Sequence, residues 1–291
     1  MGRRGHRRGL AQLAALMLIA GLIAFPFVWM LLSSVKSNAE INLSPPTVLP
    51  NEWHWDNYAV AWTSPRSTFA RYYLNSFTIA LVGAMLQAAT SILAAYAFAL
   101  MRFRGAGLLF GAFLATTMIP GEVTLIPNFV TIRHIPLVGG NDWAGNGGQG
   151  LFDSYLGMII PAAGSAFSVF LLRQAFKSLP VDYWHAAQID GCSRLRYLWS
   201  IALPLARPAI LTVVVFAAFQ YWNALLWPLV ITNSEAIRPV QVAILNFQSE
   251  VDSRFNLVMA AATISMLPGL VLYFVAQRQF RAALTFSGLK G

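Results

Sequence analysis

Six runs in this chain, over residues 10–32, 74–100, 108–126, 155–172, 208–231 and 257–276, contain no lysine, arginine or aspartate. The sole acidic residue inside them is Glu122, near one end of the third. An α-helix rises about 1.5 Å per residue, so about 20 residues cross the hydrocarbon of a bilayer. A lysine or arginine at the centre of such a helix costs about 2.5–3.5 kcal/mol, so the exclusion of charge marks all six runs as spans. Composition agrees. The chain is 57% hydrophobic and 11% charged, where a soluble domain carries about 25% charge. The expected fold is all-α integral membrane, a six-helix transmembrane bundle. The first run exceeds the roughly 7–15-residue core of a cleaved signal peptide, so it is expected to be retained, with Pro26 kinking it.

Orientation follows from the basic residues. With the N-terminus cytoplasmic and the spans alternating, 14 of the 20 Lys and Arg fall inside, among them Arg3, Arg4, Arg7, Arg8, Arg102, Arg104, Arg194 and Arg196. Lys36, Arg66, Arg71, Arg133, Arg238 and Arg254 fall outside, with nine of the 11 acids. The net charge of +9 is thus an insertion signal, and nucleic acid is not needed as a partner. The chain divides into a basic N-terminus (1–9), a transmembrane region (10–280) and a tail (281–291), both termini cytoplasmic.

The stretch 176–208 (FKSLPVDYWHAAQIDGCSRLRYLWSIALPLARP) is polar and amphipathic and lands on the cytoplasmic side. Pro180 suits a helix start, and Asp182 its positive end. Asp190-Gly191 suits a turn in which Gly takes positive φ. Ser193 can cap a second helix with Leu195, Leu198, Trp199 and Ala202 on one face, stopped by Pro204 and Pro208. The expectation is a helix-turn-helix knob on the membrane surface.

The run His185-Ala186-Ala187-Gln188-Ile189-Asp190-Gly191, with Ile201, Leu203 and Pro204 beyond it, resembles the "EAA" loop of ABC transporter permeases. That family's pattern is Glu-Ala-Ala, three residues, Gly, nine residues and Ile-x-Leu-Pro; His185 stands where the family has Glu. Further resemblance to the carbohydrate-uptake branch lies in Asn75-Ser76-Phe77, Phe103-Arg104-Gly105, Trp222-Asn223 with Trp227-Pro228-Leu229, and the ending Gly288-Leu289-Lys290-Gly291. The resemblance implies a permease of an ATP-driven importer in a prokaryotic inner membrane, with 176–208 as its coupling loop. It also implies its partners: a second homologous permease, two copies of a cytoplasmic ABC ATPase and an extracytoplasmic sugar-binding protein. His185, Ala186, Ala187, Asp190, Gly191, Ile201, Leu203 and Pro204 would then contact the ATPase.

Polar side chains within a span face the bundle interior or a water-filled cavity and mark functional positions. Gln220, Trp222, Asn223 and Trp227 in the fifth run are therefore candidates for a sugar pathway, with interhelical hydrogen bonding as the alternative. On the outer side, 41–62 is rich in Pro and Trp and suits an interfacial belt or a ligand contact. The Gly-rich 136–150 reads as a flexible loop carrying Trp143, which could stack on a sugar. Val240, Ile244, Phe247 and Val251 recur at helical spacing, as in an amphipathic helix that contacts a partner or covers the surface.

Several chemistries are missing from the sequence. Lys36, Lys177 and Lys290 do not follow Gly, so there is no P-loop, and ATP and Mg belong to a partner. His6, His54, His134 and His185 form no metal-ligand spacing. No cofactor is expected in this chain, and it is not an enzyme. Scarce intramembrane charge argues against a secondary transporter or channel, and the absence of clustered catalytic groups argues against a membrane enzyme. With no Arg or Lys inside a span, a neutral mono- or oligosaccharide is favoured over glycerol 3-phosphate or a polyol carried by the same machinery.

Overall fold

The computed structural model describes residues 2–63, 69–250 and 254–287. Arg66, Val251 and the ending Gly288-Leu289-Lys290-Gly291 lie outside these residues, as do the side chains of Arg3, Arg4, Arg7, Arg8 and Phe247. Every regular element among the described residues is helical. Three helices are long and apolar enough to span a membrane: Gln12–Ser34, Phe69–Leu100 and Phe255–Phe274. Three further pairs pass only as bent spans, which brings the count to as many as six. The chain packs as two units, Met1–Ala70 with Ala243–Leu267, and Arg71–Val242 with Pro268–Gly291.

In the first unit, α1 (Gly2–Ser34) is followed by the short α2 (Asn38–Ile41) and by α3 (Asp56–Thr63). Its apolar side chains from Leu13 to Val28 remain exposed, as suits a helix solvated by lipid. Order in this unit comes from a polar knot just beyond the span. Asn57 Nδ2 donates to the carbonyls of Ser34 and Lys36, at 2.9 Å each. Lys36 is 2% exposed; its Nζ donates to the Thr47 carbonyl and lies 5.0 Å from the centroid of the Trp29 ring. Glu40 Oε1 accepts from Thr47 Oγ1 at 2.7 Å and from the Asn51 amide at 2.9 Å. The Thr47 bond holds the Glu40 carboxyl below the usual carboxylate range, against the opposing pull of desolvation.

The second unit holds the expected cytoplasmic knob and most of the core. Helix α4 (Phe69–Leu100) lies almost wholly within it and buries Ala84, Ala88, Ser91 and Ala95 on one stripe. Small residues allow the close backbone approach that helix packing in lipid requires. After α4 come α5 (Ala106–Ala115) with a 3-10 turn at Thr116–Met118, α6 (Gly121–Arg133), and α7 (Tyr155–Ile159) with a 3-10 turn at Ile160–Ala162. Next are α8 (Ala166–Lys177), α9 (Val181–Ile189), α10 (Arg194–Tyr197), a π turn at Leu198–Ala202, α11 (Leu203–Leu205), α12 (Arg207–Trp222) and α13 (Leu226–Ile231). Two last helices, α14 (Val240–Glu250) and α15 (Phe255–Ser287), each continue from one unit into the other.

Several expectations need correction. The runs 108–126, 155–172 and 208–231 are not straight helices; each is broken. The 136–150 segment is not loose either. Asn141 Nδ2 donates to the carbonyls of Arg133 and Ile135, and its Oδ1 accepts from the Gly148 amide. Asp142 Oδ1 accepts from the amides of Ala144 and Asn146, at 2.8 Å each. Glycine serves close approach here: a Cβ on Gly139 would sit 1.9 Å from the Gly150 carbonyl oxygen. Trp143 is displayed from this tied loop, 82% exposed. In α14, Val240 is fully buried and Ile244 half-buried, joined by Val242 and Ala243.

The depressed pKa of Glu40 means that its bonds add stability above the unfolded carboxyl pKa and lose it as pH falls through the folded value. Acidification below about pH 4 should therefore speed hydrogen exchange at the Asn51 amide, and Glu40→Gln should blunt that pH dependence.

Candidate functional site

Three helix breaks in the second unit meet around one cavity of about 730 Å³. The first lies at Ile119-Pro120, where the chain turns by 106° between Ala106–Met118 and Gly121–Arg133. Ile119 is extended, as a residue before proline prefers, and Pro120 starts α6 without an amide to satisfy. The second, a bend of 51°, falls at 163–165. There Ser165 takes extended geometry and accepts from the Ser168 amide, capping α8. The third is at 223–225, where Asn223 ends α12 and its Nδ2 donates to the Phe219 carbonyl at 2.9 Å.

The lining is mixed. Thr116, Thr117 and Thr124 return their hydroxyl protons to their own helices, onto the carbonyls of Phe113, Leu114 and Gly121. Their oxygens therefore remain as acceptors toward the cavity. Glu122, Asn128 and Gln220 also line it and spend no side-chain hydrogen bond on the protein. Trp227 presents its ring there while its indole N–H donates to the Gly157 carbonyl at 3.0 Å. Such a surface offers donors, acceptors and an aromatic face to a polyhydroxylated solute.

Of the four proposed pathway residues, Gln220, Asn223 and Trp227 line this cavity and Trp222 does not. Trp222 is 6% exposed, meets Tyr73 edge to face at 5.2 Å, and borders a separate apolar groove of about 330 Å³. The sequence argument missed Thr116, Thr117, Glu122, Thr124, Asn128 and Ser165. The signal was there in part: Pro120-Gly121-Glu122 is a helix breaker followed by the only acid in an apolar run.

Tyr221, on the cavity wall, donates its hydroxyl to the Ile159 carbonyl at 2.9 Å. Its ring rests on Gly83 of α4, where an added Cβ would fall 2.7 Å from ring carbons.

Below this lies the knob. Helix α9 follows Pro180 and ends at Asp190; Gly191 has φ 68°, and the Cys192 amide reaches back to the Ala187 carbonyl at 2.8 Å. This left-handed helix stop is open to glycine and strained for other residues, although the site is spacious enough for a side chain. Ser193 Oγ accepts from the Arg196 amide and caps α10. The second knob helix departs from the expected one in two ways. It does not stop at Pro204 but runs to Leu205 through the π turn, and bends by 81° into α12. The wide turn shifts the register, so Tyr197, Leu198, Ala202 and Ala206 are buried while Leu195 and Trp199 stay exposed.

Knob and bundle share one core, in which Ala187, Tyr197, Leu198 and Ala202 pack with Leu172 and Phe176 of α8 and Ala95 and Tyr96 of α4. Tyr96 donates its hydroxyl to the Arg194 carbonyl at 2.9 Å, and Trp184 meets Tyr197 edge to face at 5.0 Å. On the other side His185, Ala186, Asp190, Gly191 and Pro204 are exposed, Ile201 and Leu203 half-buried, and Ala187 buried. His185 stands one turn from Ile189, which is 87% exposed.

Broken helices around a polar cavity, with a rigidly rooted cytoplasmic knob, define the membrane half of a solute transporter. The chain belongs to the family of binding-protein-dependent transport system inner membrane components, whose model matches residues 87–285. It is 31% identical over 283 residues to the sn-glycerol-3-phosphate transport system permease protein UgpE of Yersinia pestis bv. Antiqua, covering 94% of this chain and 96% of that one. It is 30% identical over 274 residues to the diacetylchitobiose uptake system permease protein NgcG of Streptomyces coelicolor, covering 94% and 86%. Its fold is that of a chain in the crystal structure of a bacterial ABC transporter that imports the acidic polysaccharide alginate, with TM-score 0.80, 23% identity and coverage of 96% and 98%.

Two substitutions probe the links described. Gly83→Ala should overpack Tyr221, cost about 1–3 kcal/mol and lower the thermal midpoint of the purified protein. Tyr96→Phe should leave folding intact and uncouple solute transport from ATP use in the reconstituted complex, read as a fall in solute moved per ATP hydrolysed.

Proposed function

We propose that this chain forms half of the translocation pathway of an ATP-driven importer for a neutral carbohydrate, with the knob as its contact to a separate ATPase. The observation that carries this reading is the convergence of three helix breaks on a cavity lined by hydroxyls, amides and an aromatic ring. Irregular backbone at membrane depth is tolerated where it is enclosed by protein or faces water, and in transporters such breaks form the solute site.

In this reading the exposed face of α9, with His185, Ala186, Asp190 and Gly191, docks on a cytoplasmic ABC ATPase that binds ATP and Mg. Two copies of that ATPase serve this chain and a second, homologous permease. An extracytoplasmic binding protein delivers the sugar, and both termini of this chain lie in the cytoplasm of a prokaryote. His185, mostly neutral at pH 7, gives the ATPase a hydrogen bond where the family's Glu would give an ion pair. A second reading, glycerol 3-phosphate as the solute, draws on the likeness to UgpE.

Sugar-stimulated ATP hydrolysis by the assembled transporter in liposomes tests the coupling. His185→Glu should stay within about twofold of the unaltered protein, whereas Gly191→Val should lose about tenfold or more, because a β-branched residue is strained at positive φ. Full stimulation in Gly191→Val would count against docking through this turn.

A further inference from the structure

Glu122 is the one residue of formal charge among those lining the cavity; no Lys, Arg or His joins it. It stands in the first turn of α6, directly after the 106° break. Ala106–Met118 spans at most about 20 Å at helical rise, short of the roughly 30 Å hydrocarbon core, so the break and Glu122 lie at membrane depth. Among the described residues its carboxylate has no hydrogen bond and no ion pair. A charged group in a span is costly, and one that the protein does not neutralise marks a solute or ion path. The amino end of α6 favours its negative charge without cancelling the field toward the cavity.

We infer that Glu122 is the charge filter of this permease. Its carboxylate accepts hydrogen bonds from hydroxyls of an uncharged polyhydroxylated solute and repels phosphorylated or carboxylated ones. This deepens the importer reading above and rests on it for the identity of the solute, but the field itself can be measured without any solute. A carboxylate can accept from two neighbouring hydroxyls of a sugar at once, through charge-assisted bonds stronger than those of the surrounding amides. Toward an anion the same group has nothing to offer, and the threonine oxygens beside it are oriented as acceptors.

The chain's single cysteine makes the test direct. In full-length protein carrying Cys192→Ser, Thr117→Cys places a thiol on the cavity wall. Its reaction rates with methanethiosulfonates bearing a trimethylammonium or a sulfonate group, each normalised to a free thiol, report the local potential. The cationic reagent should react faster by about tenfold. Glu122→Gln should bring the ratio close to one, and Glu122→Asp should keep the preference. Unchanged rates with the neutral methyl reagent show that the cavity remains folded and open in each variant. An equal rate for both charged reagents, or a preference that survives Glu122→Gln, overturns the filter. ATP-driven uptake of glycerol 3-phosphate by the assembled wild-type transporter overturns the assignment to uncharged solutes even if the reagent preference holds. Failure of the importer reading shows separately, as a lack of sugar-stimulated ATP hydrolysis.

Discussion

Hydrocarbon offers a backbone amide nothing to bond to, so every break in a membrane helix must be compensated by protein or by water. The second unit depends on this constraint. Its breaks at 119–120, 163–165 and 223–225 each release backbone groups, and each carries its own local answer: Pro120 without an amide, Ser165 as a cap, Asn223 bonding back to Phe219. What these answers leave unsatisfied faces a shared cavity. Site and irregular backbone are thus one feature, and a straight-helix bundle of the same composition would have no comparable place for a hydrophilic solute.

The knob solves the opposite problem, that of remaining stiff outside the membrane. A helix of nine residues is marginal alone in water. Here α9 is held by Ala187 in the common core, by the left-handed stop at Gly191, and by Trp184 against Tyr197. Tyr96 ties the next segment to the end of α4. Movement imposed on α9 therefore reaches α4 and α8 through packed side chains, while His185 and Ile189 stay free for a partner.

How far the sequence could be read depended on how local each signal was. Pro180, Gly191 and Ser193 act within one turn of chain, and the structure shows each at the end of a helix as its chemistry requires. The six apolar runs were legible because exclusion of charge is a property of the whole run. Their breaks were not, because one Pro or Gly barely changes the hydropathy of a twenty-residue window. Trp222 and Trp227 illustrate the limit: five positions apart, they face different surroundings because the helix stops between them, and no periodicity survives such a stop. Leu195 and Trp199 were misassigned for a related reason, since a π turn inserts a residue that 3.6-fold counting does not anticipate.

That π turn and Pro204 are best understood as a pair. The ring of a proline inside a regular α-helix collides with the carbonyl four residues earlier, which here belongs to Ser200. In the wider turn the Leu203 amide reaches instead to Leu198, loosening the ladder where the ring arrives. One supernumerary residue is the geometric cost of that accommodation, and it sets the phase of everything downstream by about 100°. A relative with an ordinary residue in place of Pro204 has no need of the surplus and can be one amino acid shorter at this point, with both flanking helices still in step.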